Sequence, residues 1–134
     1  FVLGEIAEVK GSAVNRSGFY SAEDTVSAVF TFNSGVIGTG SWCFVVDKNN
    51  EEDIIEIQGT TGKITFPCFD KGEVILINSK GKTSYNFQNH ENISFYLIEQ
   101  VVGALRGENN CVSTMYTAAR TSLIMEEIVK SYYK

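Results

Sequence analysis

The chain has 134 residues, of which 43% are hydrophobic and 20% charged, and its net charge is −5. That length suits one domain, which can bury roughly two-thirds of its unfolded surface without covalent cross-links. The acidic balance argues against nucleic acid and against an anionic membrane as partners, because both require a basic surface. No apolar run approaches the ~20 residues of a membrane-spanning helix.

The three cysteines, Cys43, Cys68 and Cys111, are far apart and form no Cys-x-x-Cys motif. An odd and scattered set is typical of buried thiols in a reducing compartment rather than of a disulfide framework. We therefore expect a cytoplasmic protein. The chain starts at Phe1 with an early glutamate and no basic lead, so the start does not resemble a signal peptide. Because an initiator methionine is also missing, we expect the chain to be part of a longer protein.

In chain order, the first two-thirds of the sequence predicts strands. Residues 24–32 alternate, with Val26, Ala28 and Phe30 on one face. The turn signal Asn33-Ser34-Gly35 follows and makes this strand the first arm of a hairpin. The predicted strands cover residues 5–15, 24–32, 36–46, 53–58, 63–66, 73–78 and 83–87.

The apolar period then changes to that of helices. We predict one helix over residues 92–106, ended by Gly107, and a second over 115–133, capped by Ser113 or Thr114. The buried stripe predicted for the second helix consists of Ala118, Ser122, Met125 and Val129. Strands first and helices last indicate an α+β fold: a large, mostly antiparallel open sheet with two C-terminal helices packed on one face.

Several predicted strands are apolar on both faces. Val29 opposes Ala28 and Phe30, and residues 74–77 are all apolar. Two helices cover only one face of a seven-stranded sheet, so the other face should meet a partner. We expect a homo-oligomer formed through the sheet, with Trp42 or Phe44 as an anchor of the interface.

The sequence offers little chemistry of its own. Residues 35–40 contain three glycines but lead into a strand, whereas a phosphate-binding loop opens a helix. The single histidine, His90, has no thiolate or carboxylate companions at metal-ligand spacing, so no metal site is predicted. His90 either contacts substrate at the rim of a pocket or serves as a local cap or loop residue, and the local role is favoured.

Taken together, the motifs resemble the glucose–fructose oxidoreductase / inositol dehydrogenase / MocA family. Residues 20–39 resemble its E-D-x-hydrophobic … F-x-N-G hairpin, with one extra residue at the turn. Residues 53–64 resemble its I-x-G-x-x-G strand-turn-strand, and residues 90–107 followed by 111–121 resemble its closing helices. The resemblance spans nearly the whole chain. Val112 and Met115 depart from the proline and glycine that the family often has there.

The resemblance implies that residues 1–134 form the C-terminal substrate and oligomerisation domain of an oxidoreductase. In this family NAD or NADP lies on an N-terminal Rossmann domain, and the reaction is hydride transfer with a sugar, cyclitol or related polyol. The catalytic residues would lie upstream, so none is assigned here, and we expect this chain alone to bind no cofactor. The alternative is a free-standing small-ligand-binding or dimerisation module without catalytic activity.

Overall fold

The computed structural model describes residues 2–69, 72–88 and 90–134. Phe1, from which the predicted start was argued, lies outside the described residues. The chain divides into two compact units: residues 1–48 with 113–134, and residues 49–112. The strands are β1 (Ile6–Val14), β2 (Thr25–Phe32), β3 (Ile37–Cys43), β4 (Ile55–Gly59), β5 (Gly62–Phe66), β6 (Val74–Asn78) and β7 (Gly81–Tyr85). The helices are α1 (Phe95–Leu105) and α2 (Met115–Val129).

The first unit is a three-stranded antiparallel sheet, ordered β1-β2-β3, with α2 packed on β1 and β2. Its core consists of Ala13, Val26, Ala28 and Ile128. Ala13 and Val26 are directly opposite each other in the register, so their side chains share one face of the sheet. That face is the one that α2 covers.

The helix face that packs on this sheet differs from the predicted one. Ile128 is buried and Ile124 packs beside it, whereas Met125 of the predicted stripe is 60% exposed. Ile124 and Ile128 each lie one residue before a member of that stripe, which is a rotation of about 100° around the helix. The prediction was right for Val129, which packs against the core, and wrong for Ala118, Ser122 and Met125, which are exposed. Spacing alone does not select the buried face, because α2 carries apolar residues on several faces.

The second unit contains a four-stranded antiparallel sheet, ordered β4-β5-β6-β7. The register places most apolar side chains of β4, β5 and β6 on one face, namely Ile55, Ile57, Ile64, Phe66, Val74 and Leu76. Ile75 and Ile77 of β6 lie on the opposite face. Among the described residues of this unit, only Gly103 is buried. No packing of α1 on a strand is found in the described part of the chain. The side chains of α1 are mostly exposed, whereas Ile57, Phe66, Val74 and Leu76 of the apolar sheet face are half-buried.

The α+β class and the antiparallel pairing are confirmed. The seven strands form two sheets, however, instead of the single large sheet expected from the sequence. The break lies at the polar connection between β3 and β4, where no strand pairing bridges the two sheets. Of the two helices expected to pack on the sheet, only α2 does so in the described residues.

Both predicted helix signals are confirmed. Thr114 caps α2 in a capping box, in which its side chain accepts from the N–H of Thr117 and the Thr117 side chain accepts in return from the N–H of Thr114. Gly107, at φ +74°, follows α1, and its N–H bonds the carbonyl of Ala104 while that of Glu108 bonds Gly103. None of the described helices combines the length and apolar character needed to cross a bilayer.

Candidate functional site

A buried carboxylate organises the loop between β1 and β2, residues 15–23. Asp24, which is 0% exposed, accepts hydrogen bonds from the backbone N–H groups of Arg16, at 2.9 Å, and Ser17, at 2.8 Å. The hydroxyl of Thr25 donates a further bond at 3.0 Å. Burial alone would raise the pKa of the Asp24 carboxyl, but these donors and the Ser17 hydroxyl outweigh it and lower the pKa to about 2. Asp24 is therefore ionised at neutral pH.

Two further side chains hold the same loop. The amide of Asn15 donates to the carbonyls of Tyr20 and Ala22 and accepts from the N–H of Gly18. From beyond the end of α2, the Tyr132 hydroxyl donates to the carbonyl of Ser21 at 2.8 Å. The loop backbone is thus held by Asn15 at its own start and by Tyr132 beyond α2. The side chain of Phe19 in this loop stays 84% exposed.

Neither Asp24 nor Asn15 was predicted from the sequence to have a role. One signal was present: a carboxylate directly before an alternating strand, after a loop rich in serine, glycine and asparagine. That pattern predicts an ordered turn but does not reveal that the carboxylate is buried.

His90 lines a pocket of about 360 Å³ in the second unit. The pocket lies between the β5–β6 connection and the start of α1, and its walls include Phe66, Phe69, Phe87 and Tyr96. The His90 ring stacks on Phe95, with 3.8 Å between the ring centroids and 8° between the planes. The structure therefore places His90 at a pocket and in a local packing role at once.

The hydrogen bonding of His90 sets its tautomer. Its Nδ1 atom accepts the backbone N–H of Asn92 at 3.1 Å, so the proton of the neutral ring is carried by Nε2. Nε2 is then a donor that could bond a hydroxyl or carbonyl oxygen of a ligand. Glu91 also lines the pocket and supplies a carboxylate acceptor.

The two predicted interface residues lie at the far strand of the first sheet. Trp42 is directly opposite Val26 in the register and therefore lies on the face that α2 covers. Its ring meets Phe30 edge-on, with 6.4 Å between the ring centroids, and it remains 42% exposed. Phe44, just after β3, is 70% exposed. Whether either residue contacts a partner stays a prediction.

The opposite face of this sheet carries mostly short polar side chains. Ser12, Ser27 and Ser41 form one row across the three strands, and 3.2 Å separates the hydroxyls of Ser27 and Ser41. A shallow depression of about 530 Å³ follows this row and includes Lys10 and Val29. We call this surface the open face.

The glycines of residues 35–40 belong to the first hairpin. Gly35 lies in the hairpin turn at φ +82°, and Gly38 and Gly40 lie inside β3, so the predicted hairpin position of these glycines is confirmed. A phosphate-binding glycine loop instead opens a helix, where backbone N–H groups face the ligand. Within the described ranges, no group of three or more His, Cys, Asp or Glu side chains is placed to hold a metal ion.

The chain is similar to known proteins in both sequence and fold. The family profile described as GFO/IDH/MocA C-terminal domain matches residues 1–65. Oxidoreductase P35 of Formosa agariphila is 26% identical over 125 residues, covering 92% of this chain and 37% of that protein. The chain therefore spans little more than a third of the length of this curated relative.

Two solved structures share the fold. An oxidoreductase from Agrobacterium radiobacter in complex with NAD⁺, L-tartaric acid and magnesium superposes at a TM-score of 0.83 with 13% identity, over 97% of this chain and 42% of that chain. UDP-N-acetylglucosamine 3-dehydrogenase GnnA from Acidithiobacillus ferrooxidans superposes at 0.76 with 14% identity, over 94% and 40%. The profile match over residues 1–65 and the shared fold agree with the resemblance carried by the sequence motifs. The chain is thus similar in sequence to the GFO/IDH/MocA C-terminal domain over residues 1–65, and it shares the fold of these oxidoreductase domains over nearly its whole length.

Proposed function

We propose that this domain is the substrate-side and oligomer-forming part of an NAD(P)-dependent oxidoreductase that acts on a sugar, cyclitol or related polyol. The observation that carries the proposal is the fold, which covers 97% of this chain but only 42% of an oxidoreductase solved with NAD⁺. A similar share of the sugar-nucleotide dehydrogenase GnnA is covered. An N-terminal Rossmann domain in the same polypeptide would supply the cofactor site.

In this proposal the pocket at His90 contributes to the substrate site. The Nε2–H of His90 would donate to a substrate oxygen, and the Glu91 carboxylate would accept from a substrate hydroxyl. The aromatic walls of the pocket would exclude water from one side of the substrate. The reaction class is hydride transfer between a nicotinamide cofactor and the hydroxyl or carbonyl carbon of the substrate.

The test uses the polypeptide that carries this chain together with the sequence preceding it. Absorbance at the reduced nicotinamide band is followed with NAD⁺ and NADP⁺ against a panel of sugars, sugar nucleotides and cyclitols. We expect reduction of one nucleotide by at least one member of the panel. A polypeptide that binds neither nucleotide in calorimetry would contradict the proposal and favour the free-standing binding or dimerisation module.

The oligomer role rests on the open face. Its short serine and threonine side chains would let a second sheet approach closely, and Val29 is left exposed there. A two-fold pairing is the simplest closed arrangement, because one self-complementary surface suffices. Trp42 lies on the opposite face, so in this pairing Phe44, just after β3, would contact the second copy at the margin of the sheet.

Sedimentation tests the pairing. We expect a dimer or larger species at micromolar concentration and dissociation in Val29→Lys, because the variant buries an unpaired ammonium in the contact. Thr61→Lys, in an exposed turn of the other unit, is the matched control and should leave the association unchanged. If the wild-type protein stays monomeric at high concentration, the proposed oligomer role of the open face is contradicted.

A further inference from the structure

Three side chains hold the backbone of the β1–β2 loop, residues 15–23, in place by hydrogen bonds. The Asp24 carboxylate, the Asn15 amide and the Tyr132 hydroxyl all bond to its backbone. A loop that served only to connect two strands would need none of them, because exposed backbone groups can bond to water. These bonds keep the loop in one conformation in advance of any contact.

The exposed side chains of this loop are of the types that are common in protein–protein interfaces. Phe19 is almost fully exposed and Tyr20 is partly so. The Arg16 guanidinium makes no ion pair with any residue in the described ranges. Aromatic side chains and arginine are enriched at the centres of protein interfaces. A single exposed phenylalanine is common on protein surfaces, whereas Phe19 and Tyr20 are neighbouring exposed aromatic side chains on one ordered loop.

We infer that the β1–β2 loop is the docking point of this domain for the dinucleotide-binding domain of the same polypeptide. This inference rests on the proposed function. Phe19 inserts into an apolar pocket of that domain, and Arg16 pairs with a carboxylate at the pocket's edge. Because the loop is already ordered, docking loses little conformational entropy.

The choice of partner follows from the length of the relatives. The chain covers 37% to 42% of the proteins described above, so more than half of each lies outside the matched region. A domain tethered to this chain meets the loop at a high effective concentration. A second copy of this chain is the competing occupant, and concentration dependence distinguishes the two.

The experiment measures amide hydrogen exchange in the complete two-domain polypeptide, comparing wild type, Phe19→Ala and Val36→Ala. Val36 is the matched control, because it is also an exposed apolar side chain in a turn but lies at the opposite end of β2. In Phe19→Ala we expect amides of a contiguous patch outside this chain to exchange at least about tenfold faster, together with those of residues 19–21. Val36→Ala should match wild type.

Unchanged exchange outside this chain in Phe19→Ala would overturn the inference. A change that disappears on dilution would also overturn it, since that outcome assigns the loop to a second copy. Nucleotide binding measured on the same samples separates the two proposals. If the wild type binds NAD(H) or NADP(H) and Phe19→Ala changes no exchange, the docking inference alone fails. If the wild type binds neither, the proposed function fails.

Discussion

The Cγ2 atom of Ile128 lies 2.7 Å from the position that a Cβ atom on Gly11 would occupy, and the Ile128 Cα is only 3.0 Å from it. Helix α2 can reach β1 this closely because residue 11 has no side chain. Gly11→Ala should therefore force α2 away from the sheet and lower the free energy of unfolding by about 1–3 kcal/mol. Urea denaturation measures this change.

Gly38→Ala is the control for that substitution. Gly38 lies in the same sheet, and the nearest atom to its added Cβ would be 3.4 Å away in the flexible Phe32 ring. This variant should stay within about 1 kcal/mol of wild type. Equal destabilisation by both substitutions would mean that close contact with α2 does not set the requirement for glycine at position 11.

Asp24 should make stability depend on pH in the acid range. Its folded pKa of about 2 lies below the ordinary value of 3.8, so its ionisation stabilises the fold above about pH 4. That contribution is lost as the pH falls towards 2. Asp24→Asn should be less stable than wild type at neutral pH, and the difference should shrink between pH ~4 and ~2. Denaturant midpoints at several pH values measure it.

Thr25→Val provides a graded comparison, because it removes one donor to Asp24 and leaves the backbone donors in place. We expect a smaller loss than in Asp24→Asn, over the same pH range. A constant difference between wild type and Asp24→Asn from neutral pH to pH ~2 would show that the Asp24 carboxyl is not held ionised by its donors.

The face of α2 can be tested with two residues of the same helix. Ile128, 6% exposed, packs in the core, and Ile128→Ala should lower the free energy of unfolding by about 2–5 kcal/mol. Met125→Ala should have little effect on this domain because its side chain is largely exposed. Thermal or urea unfolding compares them. A larger loss for Met125→Ala would restore the stripe predicted from the sequence.

His90 can be tested with a substitution that separates its two roles. His90→Phe keeps a ring to stack on Phe95 but removes the Nε2–H donor. It also removes the Nδ1 acceptor of the Asn92 N–H, which water can replace because this position is exposed. In the two-domain polypeptide we expect a higher KM or lower turnover with the melting temperature nearly unchanged. His90→Ala should also lower the melting temperature, since it removes the stack. Unchanged kinetics in His90→Phe would leave only the local packing role.

The strands were predictable because each carries a strong local signal. The alternation in β2 and the turn at Gly35 set the first hairpin within a few residues of its observed bounds. The partition into two sheets was not predictable, because strand pairing across a long polar connection leaves no periodic trace in the sequence. The buried face of α2 was missed because Ile124, Met125 and Ile128 are all apolar, and only the contact at Gly11 selects among them.

The site was less accessible to sequence reasoning than the fold. His90 was singled out because it is the only histidine, and the pocket around it depends on Phe66 and Phe87, which lie on separate elements. The role of Asp24 depends on a loop returning over it, so that backbone donors eight and seven residues earlier reach its carboxylate. Such an arrangement has no signature in composition or period.

The first unit is built from the two ends of the chain, and this affects how it emerges from the ribosome. The strand that carries Val26 and Ala28, β2, is made early, but α2, which covers it, follows only after residues 49–112. Because translation adds roughly 5–20 residues per second, this face of the sheet stays uncovered by α2 for several seconds. Nascent chains stalled before residue 113 should therefore bind hydrophobic-surface chaperones, and chains released after residue 134 should not. Equal chaperone binding at both lengths would show that something other than α2 covers the nascent sheet.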